Sequence, residues 1–297
     1  MIQTKEAWEA WVSQLQLKEK ISKLSKKEIA KQLSELIEIT VLRQSQKHEF
    51  IGLLFSGGVD STIIGYILKK NRVPFTAMTV GFWDENLKEP EDVLIARKIA
   101  KELEFDQYEK IYNIEEMEFL FKRTCLILGK ELANVVNVGV GAVEFAGIEQ
   151  LHAHDPEIRA IFGGLGSEEI YAGYQRHAKA VNVHEECWRG LKLMYERDIL
   201  RDIAISKALN ISFCTPFLDE EVISYSMNIP DYLKISQVMN KLIIREAAIL
   251  LGIPEKYAMR PKKAAQYGSR IDSALDKIAK RKGFIYKQDY LTSLLNP

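Results

Sequence analysis

The hydrophobic positions change their period once, near residue 49. Before that point they recur at near-helical spacing. Trp8, Trp11, Leu15 and Leu17 form one set, and Ile29, Leu33, Leu36, Ile37 and Val41 another, which predicts helices over residues 1 to about 47. Between them Lys18, Lys20, Lys23, Lys26 and Lys27 make either a solvated face or a docking surface for a partner. From Glu49 onward short apolar runs alternate with amphipathic ones. Phe50-Ile51-Gly52-Leu53-Leu54-Phe55 has the length of a strand and runs into a glycine-containing turn. Residues 59–70 read as a helix with Ile63, Ile64, Ile67 and Leu68 on one face. A second strand is predicted over 75–82, and then a helix from Pro90 to Glu104 that opens with proline among acids. A third strand over 107–112 follows, with helices near 114–128 and 134–152. The strand Arg159-Ala160-Ile161-Phe162 then leads into another glycine-rich turn. Beyond Tyr174 the pattern is mainly helical. Strands alternating with helices predict βαβ units, hence a parallel sheet. The expected organisation is a helical segment over 1–48, an α/β core over 49–180, and a mainly helical part over 181–297 that completes the site.

Composition narrows this picture without redirecting it. The 41 basic and 41 acidic residues cancel, so the chain lacks the positive field of a typical nucleic-acid binder. The stretch 84–118 is acidic and 260–287 basic; these are solvated faces, or in the basic case a tail that holds phosphates. Cys125, Cys187 and Cys214 stand far apart with no CxxC pair, which argues against a zinc site, an iron–sulfur site or a disulfide scaffold. They fit a reducing compartment. No 18-residue apolar stretch and no signal-peptide core occur, so a cytoplasmic protein with no membrane partner is expected. In His152-Ala153-His154-Asp155 the two histidines diverge on a helix, so surface or capping roles are expected in place of metal binding. Asn210-Ile211-Ser212 fits a glycosylation sequon, without meaning in a cytoplasmic chain.

The candidate chemistry sits on Ser56-Gly57-Gly58-Val59-Asp60-Ser61, between the first strand and its helix. Glycines there let the backbone turn tightly and approach a ligand. The free N–H groups of the following helix, with its dipole, suit a phosphate anion. Ser56 and Ser61 add hydroxyl donors, and Asp60 supplies a hard oxygen for Mg²⁺ on the phosphates. The loop falls at the carboxyl end of a strand, where open parallel sheets bind ligands. It lacks the spacing and terminal Lys-Ser/Thr of a Walker loop. Its bland alternative is a turn with a capping serine or aspartate.

This string resembles the pyrophosphate loop of the ATP pyrophosphatases, a superfamily that includes asparagine, β-lactam, GMP, NAD and argininosuccinate synthetases and several tRNA-modifying enzymes. Three further stretches narrow the likeness. Gly163-Gly164-Leu165-Gly166-Ser167-Glu168-Glu169-Ile170-Tyr171-Ala172-Gly173-Tyr174 resembles the asparagine synthetase segment S-G-E-G-S-D-E-hydrophobic-aromatic-G-G-Y. Residues 197–219, ending in Pro216-Phe217-Leu218-Asp219, resemble D-L-x-R-x-D … R-x-P-F-L-D. Lys241, Ile244-Arg245-Glu246 and Arg260-Pro261-Lys262-Lys263 resemble K-x-x-L-R-E … R-x-K. In this order, over about residues 49–270, the chain is similar to the synthase domain of asparagine synthetase.

The resemblance implies a Rossmann-like α/β fold of the adenine nucleotide alpha hydrolase type. Its sheet would be parallel and five-stranded, flanked by helices, with helical additions at both ends. It implies ATP and Mg²⁺ as cofactors and cleavage of ATP between its α- and β-phosphates. A carboxylate, best taken as aspartate, would be adenylated and passed to ammonia or an amine. Asp60 and Glu168 would share the metal, and Lys241 would reach the α- or β-phosphate. Backbone groups at Leu54, Val80 and Gly164 would read adenine. Ser56, Gly57, Gly58, Val59, Ser61, Gly81, Arg260 and Lys262 complete the expected nucleotide contacts. Tyr171, Tyr174, Tyr257, Tyr267 and Tyr286 either line an acceptor pocket or pack. Asp219 is expected as a structural cap.

Three positions depart from the family pattern. Glu168 replaces an aspartate, Leu165 a glutamate, and Cys214 an arginine. The second residue is Ile2, and no nucleophilic cysteine stands there, so no glutaminase of the chain's own is expected. A separate glutaminase subunit, a second copy in a homodimer, and tRNA remain open as partners. A β-lactam-synthetase-like ligase, a tRNA-base-modifying enzyme and a non-catalytic ATP-binding regulatory subunit remain open as alternative functions.

Overall fold

In a computed structural model, which describes residues 4–85, 89–261 and 264–296, two helices precede the sheet. Helix α1 (Lys5–Leu17) is capped by Thr4 and buries Trp8, Val12 and Leu15. Helix α2 (Lys26–Ser45) begins with a capping box between Ser25 and Glu28, a device worth about 1 kcal/mol. Its apolar stripe of Ile29, Leu33, Ile37 and Val41 is fully buried and packs on the helix Leu242–Leu251. Trp8 fastens α1 to the distant helix Val183–Met194 by donating from Nε1 to the Leu191 carbonyl at 2.8 Å.

The α/β part then runs β1 (Ile51–Leu54), α3 (Val59–Lys70), β2 (Thr76–Phe82), α4 (Glu91–Glu102), β3 (Gln107–Tyr112), α5 (Ile114–Leu132), α6 (Val135–His154) and β4 (Ala160–Phe162). Helix α5 is broken at Gly129, whose φ of 68° and ψ of 177° are not helical; the amphipathic period stops at the same place. The fifth strand, β5 (Ser212–Cys214), lies in the stretch that the sequence pattern reads as mainly helical. It is three residues long, too short for a period to show, and its pairing with β4 makes it a strand. Ser212 N–H donates to the Arg159 carbonyl at 2.7 Å, and Gly163 N–H to the Cys214 carbonyl at 3.1 Å.

All four pairings are parallel, in the order β3-β2-β1-β4-β5, so the chain builds a five-stranded Rossmann-like sheet. Alternate strand residues enter opposite cores, as the period of two requires. Ile51, Leu53, Ala77, Ala160 and Phe162 join one core with α1–α4 and the Leu242–Leu251 helix. Met78, Val80, Phe82 and Ile161 join the other, with α5, α6 and the helix Ile271–Arg281. Both faces of the sheet are covered, as parallel sheets require. From β1 the chain winds outward to β2 and β3, then crosses back to β4 and β5. That reversal leaves a crevice at the carboxyl ends of β1 and β4. Among the described residues no helix is long and apolar enough to cross a membrane.

Candidate active site

Two turns face each other across that crevice. The first leaves β1 through Phe55 and Ser56 and enters α3. Gly57 has φ +64°, and a Cβ there would stand 2.8 Å from Ile95 Cγ2, so both backbone and space call for glycine. Gly58 stands at the N-cap of α3 and, having no side chain, makes no side-chain capping bond there. Ser61 ties the turn together: its hydroxyl receives the Ser56 N–H at 3.3 Å and donates to the Gly58 carbonyl at 3.2 Å.

The second turn, Gly163-Gly164-Leu165-Gly166, leaves β4 and enters a single helical turn, Ser167–Ile170. A Cβ on Gly164 would lie 2.8 Å from the Asp60 Cβ, so glycine here lets the two turns meet. Ser167 then donates its hydroxyl to Asp60 Oδ1 at 2.6 Å. The third contributor comes from the C-terminal part. Lys241 caps the helix Leu242–Leu251 with φ 60°, and its Nζ stands 2.7 Å from Asp60 Oδ2 and 2.7 Å from Glu168 Oε1. The lysine is 4% exposed. Burial, the largest effect, pulls its ammonium down, but the two carboxylates more than offset this and its pKa is raised.

Asp60, Glu168 and Lys241 thus converge, although Asp60 and Lys241 are separated by 181 positions. Leu54 ends β1, Val80 and Gly81 lie in β2 beside it, and Val59 opens α3. Arg260 donates to the Gly57 carbonyl at 3.0 Å, fastening the loop, and stands 3.3 Å from Glu91. Lys262 lies outside the described residues. Asp219 caps the helix Glu220–Met227 and pairs with Arg43 at 2.8 Å. His152 Nε2 meets the Ile158 carbonyl and His154 packs on Tyr108. Four residues of the site escaped sequence reasoning about roles: Ser167, Gly173, Asn240 and Arg245. The first two lie inside the second glycine-rich stretch and Arg245 inside Ile244-Arg245-Glu246; for Asn240 only its place before Lys241 offered a signal.

The donor set fits a divalent cation. Two carboxylate oxygens point at one position, marked by the ammonium that both touch. Mg²⁺ takes one or two carboxylates plus substrate phosphates, and among the described residues no group of three or more His, Cys, Asp or Glu side chains could hold a metal. On the far side of the second turn a cavity of about 420 Å³ is lined by Leu165, Cys214, Thr215, Leu218, Trp11 and Lys47 among others.

Behind Tyr174, His177 is completely buried. Its Nδ1 accepts the Tyr174 N–H at 3.1 Å, and its Nε2 has no partner among the described residues. Burial, then the Arg176 charge, pulls its pKa from 6.5 to about 4. The folded state therefore holds it neutral while the unfolded chain protonates near 6.5. Its contribution is complete above pH 6.5 and is lost as pH falls through about 4, up to about 3 kcal/mol. Buried Glu169, raised to about 7, titrates with the opposite sign. We therefore expect denaturant unfolding of wild type minus His177→Asn to show a loss over that window; a difference independent of pH would refute it.

The asparagine synthase family model matches residues 32–185 and 176–284. A putative glutamine-hydrolyzing asparagine synthetase 1 of Methanocaldococcus jannaschii is 26% identical over 303 residues, covering 89% of this chain and 54% of that protein. The glutamine-hydrolyzing asparagine synthetase of Gallus gallus is 29% identical over 267 residues, covering 86% and 45%. The chain spans about half the length of the curated relatives it matches. Among solved structures an NH₃-dependent NAD synthetase of Campylobacter jejuni covers 92% of this chain and 94% of its own. Its identity is 14% and its TM-score 0.40, too weak a likeness to bear on the site. With the model matching most of its length, the chain belongs to the asparagine synthase family.

Proposed function

We propose that the chain is an ATP-dependent, AMP- and pyrophosphate-forming amide ligase, with aspartate as its acyl substrate and ammonia or an amine as acceptor. The observation that carries this is the meeting of Asp60, Glu168 and Lys241 within 2.7 Å at the carboxyl ends of β1 and β4. The loop N–H groups and the α3 dipole would hold the phosphates, and Asp60 with Glu168 would hold Mg²⁺. When bound, that ion neutralises the leaving pyrophosphate. Lys241 would place its ammonium on the charge that grows as a carboxylate oxygen attacks the α-phosphorus. Pyrophosphate departs, the amine nitrogen attacks the acyl carbon, and AMP leaves as the amide forms and the nitrogen releases one proton to solvent.

A second reading keeps this chemistry and changes the substrate. Leu165 can neither hydrogen-bond an amine nor relay a proton. Its apolar side chain, which also borders the cavity beyond the second turn beside Leu218 and Trp11, favours an acid or amine with an apolar body.

The test is to incubate the protein with Mg²⁺–ATP and pairs of acids and amines, aspartate with ammonium first, and to measure pyrophosphate and AMP. Release that requires both partners is expected, with Asp60→Ala lower by about 10²–10³-fold. Release with apolar acids or amines in place of aspartate and ammonium selects the second reading. Tight ATP binding without release for any pair would make the chain a regulatory ATP-binding subunit. Stimulation by tRNA alone would move it to base modification.

A further inference from the structure

We infer that Arg245 is a positioning residue of the nucleotide site, acting through hydrogen bonds to backbone carbonyls and not through an ion pair. The inference rests on the function proposed above. Arg245 lies in the first turn of the helix Leu242–Leu251 and is 6% exposed. Among the described residues no carboxylate lies within ion-pair distance of it. Its donors go to the main chain: Nε to the Asn240 carbonyl at 2.9 Å, and Nη1 to the carbonyls of Ala258 at 2.7 Å and Arg260 at 2.9 Å. Burial without a paired anion holds its pKa below the usual guanidinium value, although Asp60 and Glu168 pull the other way.

These bonds close a ring. Arg260, gripped at its carbonyl by Arg245, reaches back to the Gly57 carbonyl of the first turn at 3.0 Å. Asn240, gripped at its carbonyl by the other side of the same guanidinium, donates from Nδ2 to the Gly173 carbonyl at 2.8 Å. Gly173 packs directly on Glu168 and Lys241, and Lys241 returns the ring to Asp60 at the start of α3. Lys241 sits in the left-handed region, a conformation that a lysine keeps only where its surroundings enforce it. The grip of Arg245 on the preceding carbonyl supplies that enforcement. One planar side chain thereby sets both the backbone that aims Lys241 and the loop that aims Arg260. A lysine cannot stand in, because its three donors radiate from a single atom.

The experiment compares Arg245→Lys with Arg201→Lys. Arg201 is equally buried, but it pairs with Asp198, Asp202 and Glu144 and touches no member of the ring. Calorimetry would measure Mg²⁺–ATP binding, and amide hydrogen exchange would follow residues 56–61 and 240–245. For Arg245→Lys we expect affinity to fall about 10-fold or more and both segments to exchange faster together. For Arg201→Lys we expect affinity within about 2-fold of wild type despite a lower melting temperature. Equal loss of affinity in the two variants, or loosening of only one segment in Arg245→Lys, would overturn the inference. If Arg245→Lys does not fold, Arg260→Gln cuts the ring on the Gly57 side, and unchanged exchange at 240–245 would refute it. A wild type that binds no Mg²⁺–ATP refutes the proposed function, while the paired exchange of the two segments still decides the role of Arg245.

Discussion

Lys241→Met should lower pyrophosphate release by about 10²–10³-fold and, in the same protein, raise the affinity for Mn²⁺ in the absence of nucleotide. Both effects come from one contact. The ammonium touches Asp60 Oδ2 and Glu168 Oε1 at 2.7 Å each, and these are the carboxylates proposed above to hold the divalent cation. A cation approaching both must compete with a positive charge already seated between them. Removing that charge leaves two carboxylates aimed at one point, which is a better metal site and a worse phosphate site. The variant will also be less stable, since buried ion pairs lose most when one partner is removed. Electron paramagnetic resonance of Mn²⁺ measures the first half of this expectation and a pyrophosphate assay the second. Unchanged Mn²⁺ affinity would mean that the lysine and the metal do not share a seat.

The second large effect belongs to a glycine. In Gly173→Ala the new Cβ would fall 1.7 Å from Glu168 Oε2 and 2.5 Å from Lys241 Cε, contacts that no packed structure holds. The atoms in the way are the far ends of two flexible side chains, so the fold can yield without unravelling. The melting temperature should move by only a few degrees. The carboxylate and the lysine, however, must both leave their places, and a misplacement of about 1 Å costs about 100-fold in rate. A matched fall in melting temperature and activity would place the defect in the fold; a fall in rate alone would place it at the site.

Much of this architecture was legible because it is written in periods. The runs Phe50–Phe55 and Phe75–Phe82 are long and apolar enough to mark buried parallel strands, and the stripe Ile29–Val41 marks α2. β5 was not legible. Three residues cannot display a period, and what makes them a strand is an edge of β4 whose paired residues stand more than fifty positions earlier. The site divides in the same way. Asp60, Glu168 and Lys241 were reached because charged residues stand in recognisable strings. Arg245 stands in such a string too, but its work is done on carbonyl groups, which every residue carries alike. The left-handed backbone at Lys241 gave no signal either, because that conformation is announced by glycine or asparagine and hardly ever by lysine.

The span between Asp60 and Lys241 has a consequence for how the protein acquires and loses its activity. Joining residues 181 positions apart closes a loop through most of the sheet, and Asp60 to Ser167 closes another of 107. Such non-local closures cost chain entropy before any contact offsets it, and they are expected to form after the local helices. A fragment that ends before Lys241, or an intermediate that holds only local helices, lacks the contact that brings these three groups together. Nucleotide binding should therefore appear in a late kinetic phase of refolding and vanish with the loss of the sheet, so that bound ATP reports on the assembled sheet.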